Sequence, residues 1–194
     1  MVQKERFNQQ KIILSTDQFV KDHIPSSRLN KHGSPVVYFR HVLGVRKYAL
    51  LLAEKYGADK FVVEMAALLH DVGADVGETH AQESARIAKK FLSTVNLDEK
   101  IKPKIISCIV THSMGSVAET QEQQIIQDAD GLIFIDDSFK EYFEKKKQKL
   151  PLEVARKESI EKTKKMMGKI KTEEGRKLAQ KFLKTAIDYL TSAN

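Results

Sequence analysis

Apolar residues recur at steps of three and four along most of the chain. Between residues 36 and 56, VVYFRHVLGVRKYALLLAEKY, the positions Val42, Val45, Ala49 and Leu52 share one face, and Gly57 stands where a C-terminal cap belongs. Asp59 is placed to cap the next helix, KFVVEMAALLHD, which runs into Gly73. Thr79 is placed to cap a third, HAQESARIAKKFL, with Gln82 three residues on as in a capping box. A fourth helix, KIISCIVTH, follows Pro103 and breaks at Ser113 to Ser116; a fifth runs from Gln121 to about Phe134; the lysine-rich remainder continues helical to about Leu190. The β-branched runs IISCIV and LIFID leave a strand reading open there. Pro25, Gly33 and Pro35 predict a connection over 25–35. Short connections between amphipathic helices predict an all-α bundle.

Composition narrows the class. With 194 residues, 41% hydrophobic and 30% charged, the chain is long enough for one domain with a real core. No apolar run approaches the roughly 20 residues that span a bilayer, and MVQKERFNQQKIIL lacks the features of a secretory signal. A cytoplasmic chain without a membrane partner is expected. The single cysteine, Cys108, lies at helical spacing from Ile105 and reads as a small buried hydrophobe rather than a nucleophile.

The net charge of +7 is uneven: from Ser138 onward there are 16 Lys and Arg against 8 Asp and Glu, so the preceding part is close to neutral. Lys145 to Lys149 marks a solvated joint. The basic segment is mixed in sign and lacks interleaved stacking aromatics. A solvated helix face is favoured over a nucleic-acid surface.

The chemistry lies in the histidines. His41 has Val37, Tyr38, Gly44 and Val45 at three and four residues; His70 has Ala66, Ala67 and Val63; His112 has Cys108, Ile109 and Ile105. Each imidazole therefore turns onto an apolar face. Any one of them alone is more often a hydrogen-bonded core residue than a ligand, but three inward histidines on three helices have a place to meet. Asp71 follows His70 directly, about 100° away on a helix, and at a helix end it can swing into the same pocket. Imidazole and carboxylate together suit Mn, Fe, Co, Ni or Zn better than Ca. A buried Asp71 with no cation nearby would be costly.

QDADGL offers one more carboxylate. Asp130 has Ile126, Ile133 and Phe134 at helical spacing and is expected on the buried face; Asp128, near Gln124 and Gly131, is expected closer to the boundary. The two lie about 200° apart, so only one is expected to be a ligand, and the pattern favours Asp130.

His41, the pair His70-Asp71 and Asp130, in that order and all on helices, resemble the HD superfamily of metal-dependent phosphohydrolases. THAQESARIAKKFL, IVTHSMGS and IIQDADGL resemble further segments of small members, and KTEEGRKLAQKFLKTAIDYL resembles the C-terminal helices of one prokaryotic subgroup. The likeness spans about residues 36 to 190. It implies an HD-type helical bundle: an N-terminal segment over 1–35, a core over 36–137, and a basic C-terminal helical extension over 138–194 packing on the same domain. Metal ligation is implied for His41, His70, Asp71 and Asp130. His80 and His112 match the histidines that hold a second metal in binuclear relatives, with the first aspartate bridging; His80 is equally explained as a helix N-terminal residue.

One or two divalent ions, Mg among the possible metals, are thus implied, and with them hydrolysis of a phosphomonoester or phosphodiester, of a nucleotide, by metal-activated water. Asp71 is central to that chemistry; His80 or His112, where not ligating, could protonate the leaving oxygen. Arg46, five residues after His41, is a candidate for the phosphate, although a surface arginine is the more ordinary reading. Asp75 reads equally as a capping or loop residue. Two positions depart from the family pattern: Ala74 stands where many members carry lysine, and Gly131 where many carry arginine. An alternative is a non-catalytic metal- or nucleotide-binding module whose basic tail meets an acidic partner. The oligomeric state is left open.

Overall fold

The computed structural model describes residues 2–26, 29 and 34–192; Gly33, in the expected connection over 25–35, lies outside them. Nine α-helices occur among the described residues, and no strand: α1 (Val2–Asp22), α2 (Val36–Tyr56), α3 (Lys60–Leu69), α4 (His80–Leu92), α5 (Ile101–Thr111), α6 (Gln121–Ile133), α7 (Phe139–Lys147), α8 (Leu152–Met167) and α9 (Glu173–Ser192). IISCIV and LIFID are helical, since their apolar positions continue the helical faces of α5 and α6. None of these helices is long and apolar enough to cross a membrane.

Helix α3 is the centre. Every residue from Phe61 to Leu69 except Glu64 is buried, as befits a helix that is apolar almost all round. Asp59 starts it by accepting from the amides of Phe61 (3.1 Å) and Val62 (3.2 Å). Helices α1, α2, α5 and α6 surround it, and each fully buried Val or Leu there contributes about 1.5–3 kcal/mol relative to exposure. The helix α1 was not legible as such because its inward stripe, Ile12, Thr16 and Val20, is thin and has a polar residue in the middle. Thr16 is nevertheless buried, its hydroxyl donating to the Ile12 carbonyl at 2.8 Å.

One local reading needs correction. Thr79 makes no capping hydrogen bond to α4: it ends a 3-10 turn over Ala74–Thr79, and its backbone (φ −91, ψ 11) is outside the extended region a capping residue needs. A capping box forms instead on α6, where Thr120 accepts from the Gln123 amide (3.3 Å) and Gln123 accepts from the Thr120 amide (3.2 Å).

Helix α2 crosses α6 at Gly44, where a Cβ would lie 2.2 Å from Ile133 Cδ1. A side chain at 44 would displace Ile133 from this crossing. One turn earlier on each helix stand His41 and Asp130, so the same crossing brings them together. Beyond α6 the chain makes a π-helical turn over Phe134–Ser138, a wider coil that is uncommon and concentrates at functional sites. Helices α7 to α9 then enclose a small second core of Phe139, Phe143, Ala155, Ala186 and Leu190, while Met166, Ile170 and Ala179 join the main one.

Candidate metal centre

His41, Asp71, His80, His112 and Asp130 line one cavity, and His70, fully buried, stands behind it with its Nε2 3.2 Å from that of His41. His41 lies within α2; His70 ends α3; His80 begins α4; His112 ends α5. Gly73, just beyond Asp71, packs so closely on α4 that a Cβ would meet the Ser84 amide nitrogen at 2.5 Å. That contact, with the 3-10 turn after it, returns the chain so that His80 faces Asp71.

The rings are aimed by their outer nitrogens. Nδ1 of His70, His80 and His112 lies 2.8, 2.9 and 2.7 Å from the carbonyls of Ala67, Gly77 and Ile109, each three residues earlier. A carbonyl only accepts, so each Nδ1 carries the proton and each Nε2 presents a lone pair. His41 Nδ1 meets the Ser138 hydroxyl at 3.2 Å, from the π-helical turn. The inner nitrogens converge in pairs: His41 and His70 at 3.2 Å, His80 and His112 at 3.1 Å. Between His80 and His112 these are two lone pairs, which repel at that distance unless a cation lies between them; His41, whose outer nitrogen meets a hydroxyl that can donate or accept, can turn either a proton or a lone pair inward.

Asp71 spans both pairs. Its Oδ2 lies 3.8 Å from His41 Nε2 and 3.7 Å from His70 Nε2, and its Oδ1 lies 3.8 Å from His80 Nε2 and 3.6 Å from His112 Nε2. Two sets of ligand atoms thus share one carboxylate: His41, His70, Asp71 and Asp71, His80, His112. Asp130 Oδ1 adds to the first at 3.3 Å from His41 Nε2. The donor set fits a divalent ion of the borderline class.

The electrostatics agree. Burial lowers the His70 pKa to about 3, against the pull of Asp71, so its ring is a neutral ligand at ordinary pH. For Asp130 burial acts upward, yet Lys169 and the His41 hydrogen bond outweigh it and hold the carboxyl well below its usual range. The cavity, about 360 Å³, is lined by five of these ligands and by Lys145, Lys162 and Lys169 from the C-terminal part of the chain.

Arg46 is not brought to this cavity. Its guanidinium pairs with Glu64, Nε to Oε1 at 2.7 Å, in a separate pocket beside α1, because Arg46 lies off the His41 face of α2. The expected burial order of the two aspartates is reversed as well. Asp128 is fully buried, whereas the Asp130 side chain keeps 15% exposure where the cavity opens. Spacing placed Asp128 near a boundary because it could not foresee the chain before α9 packing on top: Asp128 accepts from the Lys171 and Thr172 amides, each at 2.9 Å, and from the Thr172 hydroxyl. Asp75 accepts from the Ser26 amide at 3.0 Å, tying the end of the α1 region to the turn beyond Asp71. Cys108 is buried on α5, and burial first of all pushes its thiol up to about 12, which removes it as a nucleophile. The spacing did not point to Ser138, Lys162 or Lys169; the signal available for the lysines was only the basic character of the tail.

An HD domain family model matches residues 38–134. Among solved structures, Bacillus subtilis YpgQ is similar over 95% of this chain and 94% of its own, at 22% identity and a TM-score of 0.75. An HD-superfamily hydrolase from Bacillus thuringiensis is similar over 94% and 96%, at 24% identity and a TM-score of 0.70. YpgQ in complex with ADP is similar over 95% and 94%, at 22% identity and a TM-score of 0.71. At these identities the likeness to the solved structures establishes a shared fold.

Proposed function

The chain belongs to the HD-domain family, and on that premise we propose that it is a divalent-metal-dependent phosphohydrolase acting on a phosphate ester of a nucleotide. One observation carries the reading: Asp71 offers one oxygen to each of two histidine pairs whose Nε2 atoms face each other at 3.2 and 3.1 Å. Such a constellation favours positive charge inside it. His41, His70, Asp71 and Asp130 would hold one ion, and Asp71, His80 and His112 a second. When bound, the metal supplies Lewis-acid polarisation and lowers the pKa of water.

The chain's own groups do the rest. Carbonyls behind three of the rings fix which nitrogen faces inward, so no proton has to leave those nitrogens when an ion binds. The lining suits an anion: besides Asp71 and Asp130 it holds Lys162 and Lys169, together with Lys145, which pairs with Glu141 at 3.6 Å. His80, 27% exposed at its side chain and the most accessible of the four rings, is the one placed to donate a proton to a leaving oxygen where it is not ligating. The nucleotide as substrate class is supported by the similar fold of YpgQ, solved in complex with ADP.

The test is metal content together with a panel of phosphatase and phosphodiesterase substrates in Mn, Co, Ni and Mg. Uptake of at least one equivalent of metal is expected, with turnover that Asp71→Ala loses together with the metal. Metal uptake with no turnover that Asp71→Ala abolishes would favour the non-catalytic binding module. Less than about half an equivalent, with none regained on adding Mn or Fe, would remove the metal centre itself.

A further inference from the structure

The chain has no basic residue at 74 or 131, yet a buried lysine reaches the centre from a distant part of the sequence. Lys169 sits in the short connection between α8 and α9, 39 residues beyond Asp130, and its side chain is only 4% exposed. Its ammonium rests on Asp130 Oδ2, while Asp130 Oδ1 faces His41. The carboxylate thus separates two functions, one oxygen toward the histidines and the other toward the lysine.

Helix α6 is built to hold this connection. At Gly131 a Cβ would lie 2.9 Å from Ile170 Cγ1 and 3.4 Å from the Met166 carbonyl, so a side chain there would press on Ile170, the residue next to Lys169. Asp128 clamps the same segment through the Lys171 and Thr172 amides at 2.9 Å, and Gln124 donates to the Lys169 carbonyl at 3.4 Å. Gln124, Asp128 and Gly131 follow helical spacing and form one docking face. Asp130, off that face, is left to the cavity.

Charge then decides what Lys169 meets. Asp71 and Asp130 carry two negative charges, which one divalent ion cancels. Lys169 remains as a buried cation in a cavity that Lys162 also lines, and Lys162 is itself desolvated enough that burial lowers its pKa. An ammonium has three donors, and Asp130 Oδ2 occupies one. Surplus positive charge out of water calls for an anion.

We infer that Lys169 is a phosphate-binding residue, delivered from the C-terminal helices through the space that Gly131 leaves open, and that a phosphoryl group bridges it and the metal centre. This rests on the phosphohydrolase reading above. Lys162, which also lines the cavity with its Nζ 5.8 Å from the Phe134 ring centre, would share the outer oxygens.

The experiment titrates inorganic phosphate calorimetrically into Mn-loaded wild-type protein, Lys169→Met and Lys169→Arg, after Mn stoichiometry and affinity have been measured for each. Lys169→Met is expected to keep its Mn and to bind phosphate about 10- to 100-fold more weakly, the loss of one charge-assisted hydrogen bond. Lys169→Arg is expected to restore most of the affinity, which a purely structural lysine would not require. Where Lys169→Met folds poorly, Lys169→Gln, with a polar end for Asp130 and no charge, answers the same question. Phosphate affinity within about twofold of wild type in the neutral variant overturns the inference. Loss of Mn in parallel with phosphate overturns it too, because Lys169 would then only support Asp130. Wild-type protein that takes up Mn but no phosphate refutes this inference alone; wild-type protein that takes up no Mn refutes the metal reading first.

Discussion

The ring of His70 lets acid stability be worked out in advance. It is fully buried, with Nδ1–H on the Ala67 carbonyl and Nε2 3.2 Å from His41 Nε2, and burial lowers its pKa from 6.5 to about 3. In the unfolded chain His70 takes a proton near pH 6.5, whereas in the folded protein it resists until about pH 3. Between those values the unfolded state binds more protons, so stability rises with pH: the contribution is complete above about 6.5 and is lost as pH falls toward 3. One proton corresponds to about 1.4 kcal/mol per pH unit, or on the order of 5 kcal/mol over the interval, a large share of the roughly 5–15 kcal/mol of a typical domain. Asp130, held low, acts in a lower window, stabilising above 3.8 and ceasing to as pH falls below it. Urea unfolding in chelator, followed by circular dichroism between pH 7 and 4.5, reads the slope. His70→Gln removes this proton and is expected to flatten the wild-type slope by about 1.4 kcal/mol per pH unit in the range 6 to 4.5, whatever it does to stability at pH 7. Parallel pH dependences in the two proteins would refute the assignment of a buried neutral ring.

Two further substitutions separate the site from its scaffold. Ser138→Ala removes the hydroxyl 3.2 Å from His41 Nδ1 and should weaken Mn binding about 10- to 100-fold in a chelator-competition assay with the melting temperature little changed; unaltered affinity would show that His41 needs no partner. Asp128→Ala leaves the Lys171 and Thr172 amides without their acceptor and should cost about 2–5 kcal/mol in denaturant unfolding while Mn stoichiometry is retained; losing the metal instead would place Asp128 in the centre.

The helical period, the caps at Gly57 and Asp59, and the inward azimuths of His41, His70 and His112 were determined by the sequence alone, because they depend on neighbours three and four residues away. So was the pairing of His70 with Asp71, and with it the resemblance that the family match confirms. What periodicity cannot contain is which remote surface a helix face meets. Asp128 and Asp130 exchanged their expected burial because the start of α9 docks on one and the cavity opens on the other. Arg46, near His41 in sequence, faces Glu64, while Lys169, 39 residues beyond Asp130, supplies the cation on its carboxylate. The close crossing at Gly44 and the space left by Gly131 are likewise visible only against Ile133 and Ile170. Helix direction is local chemistry, but the contacts that make a site are made by packing between segments far apart in the chain, and those only the tertiary structure decides.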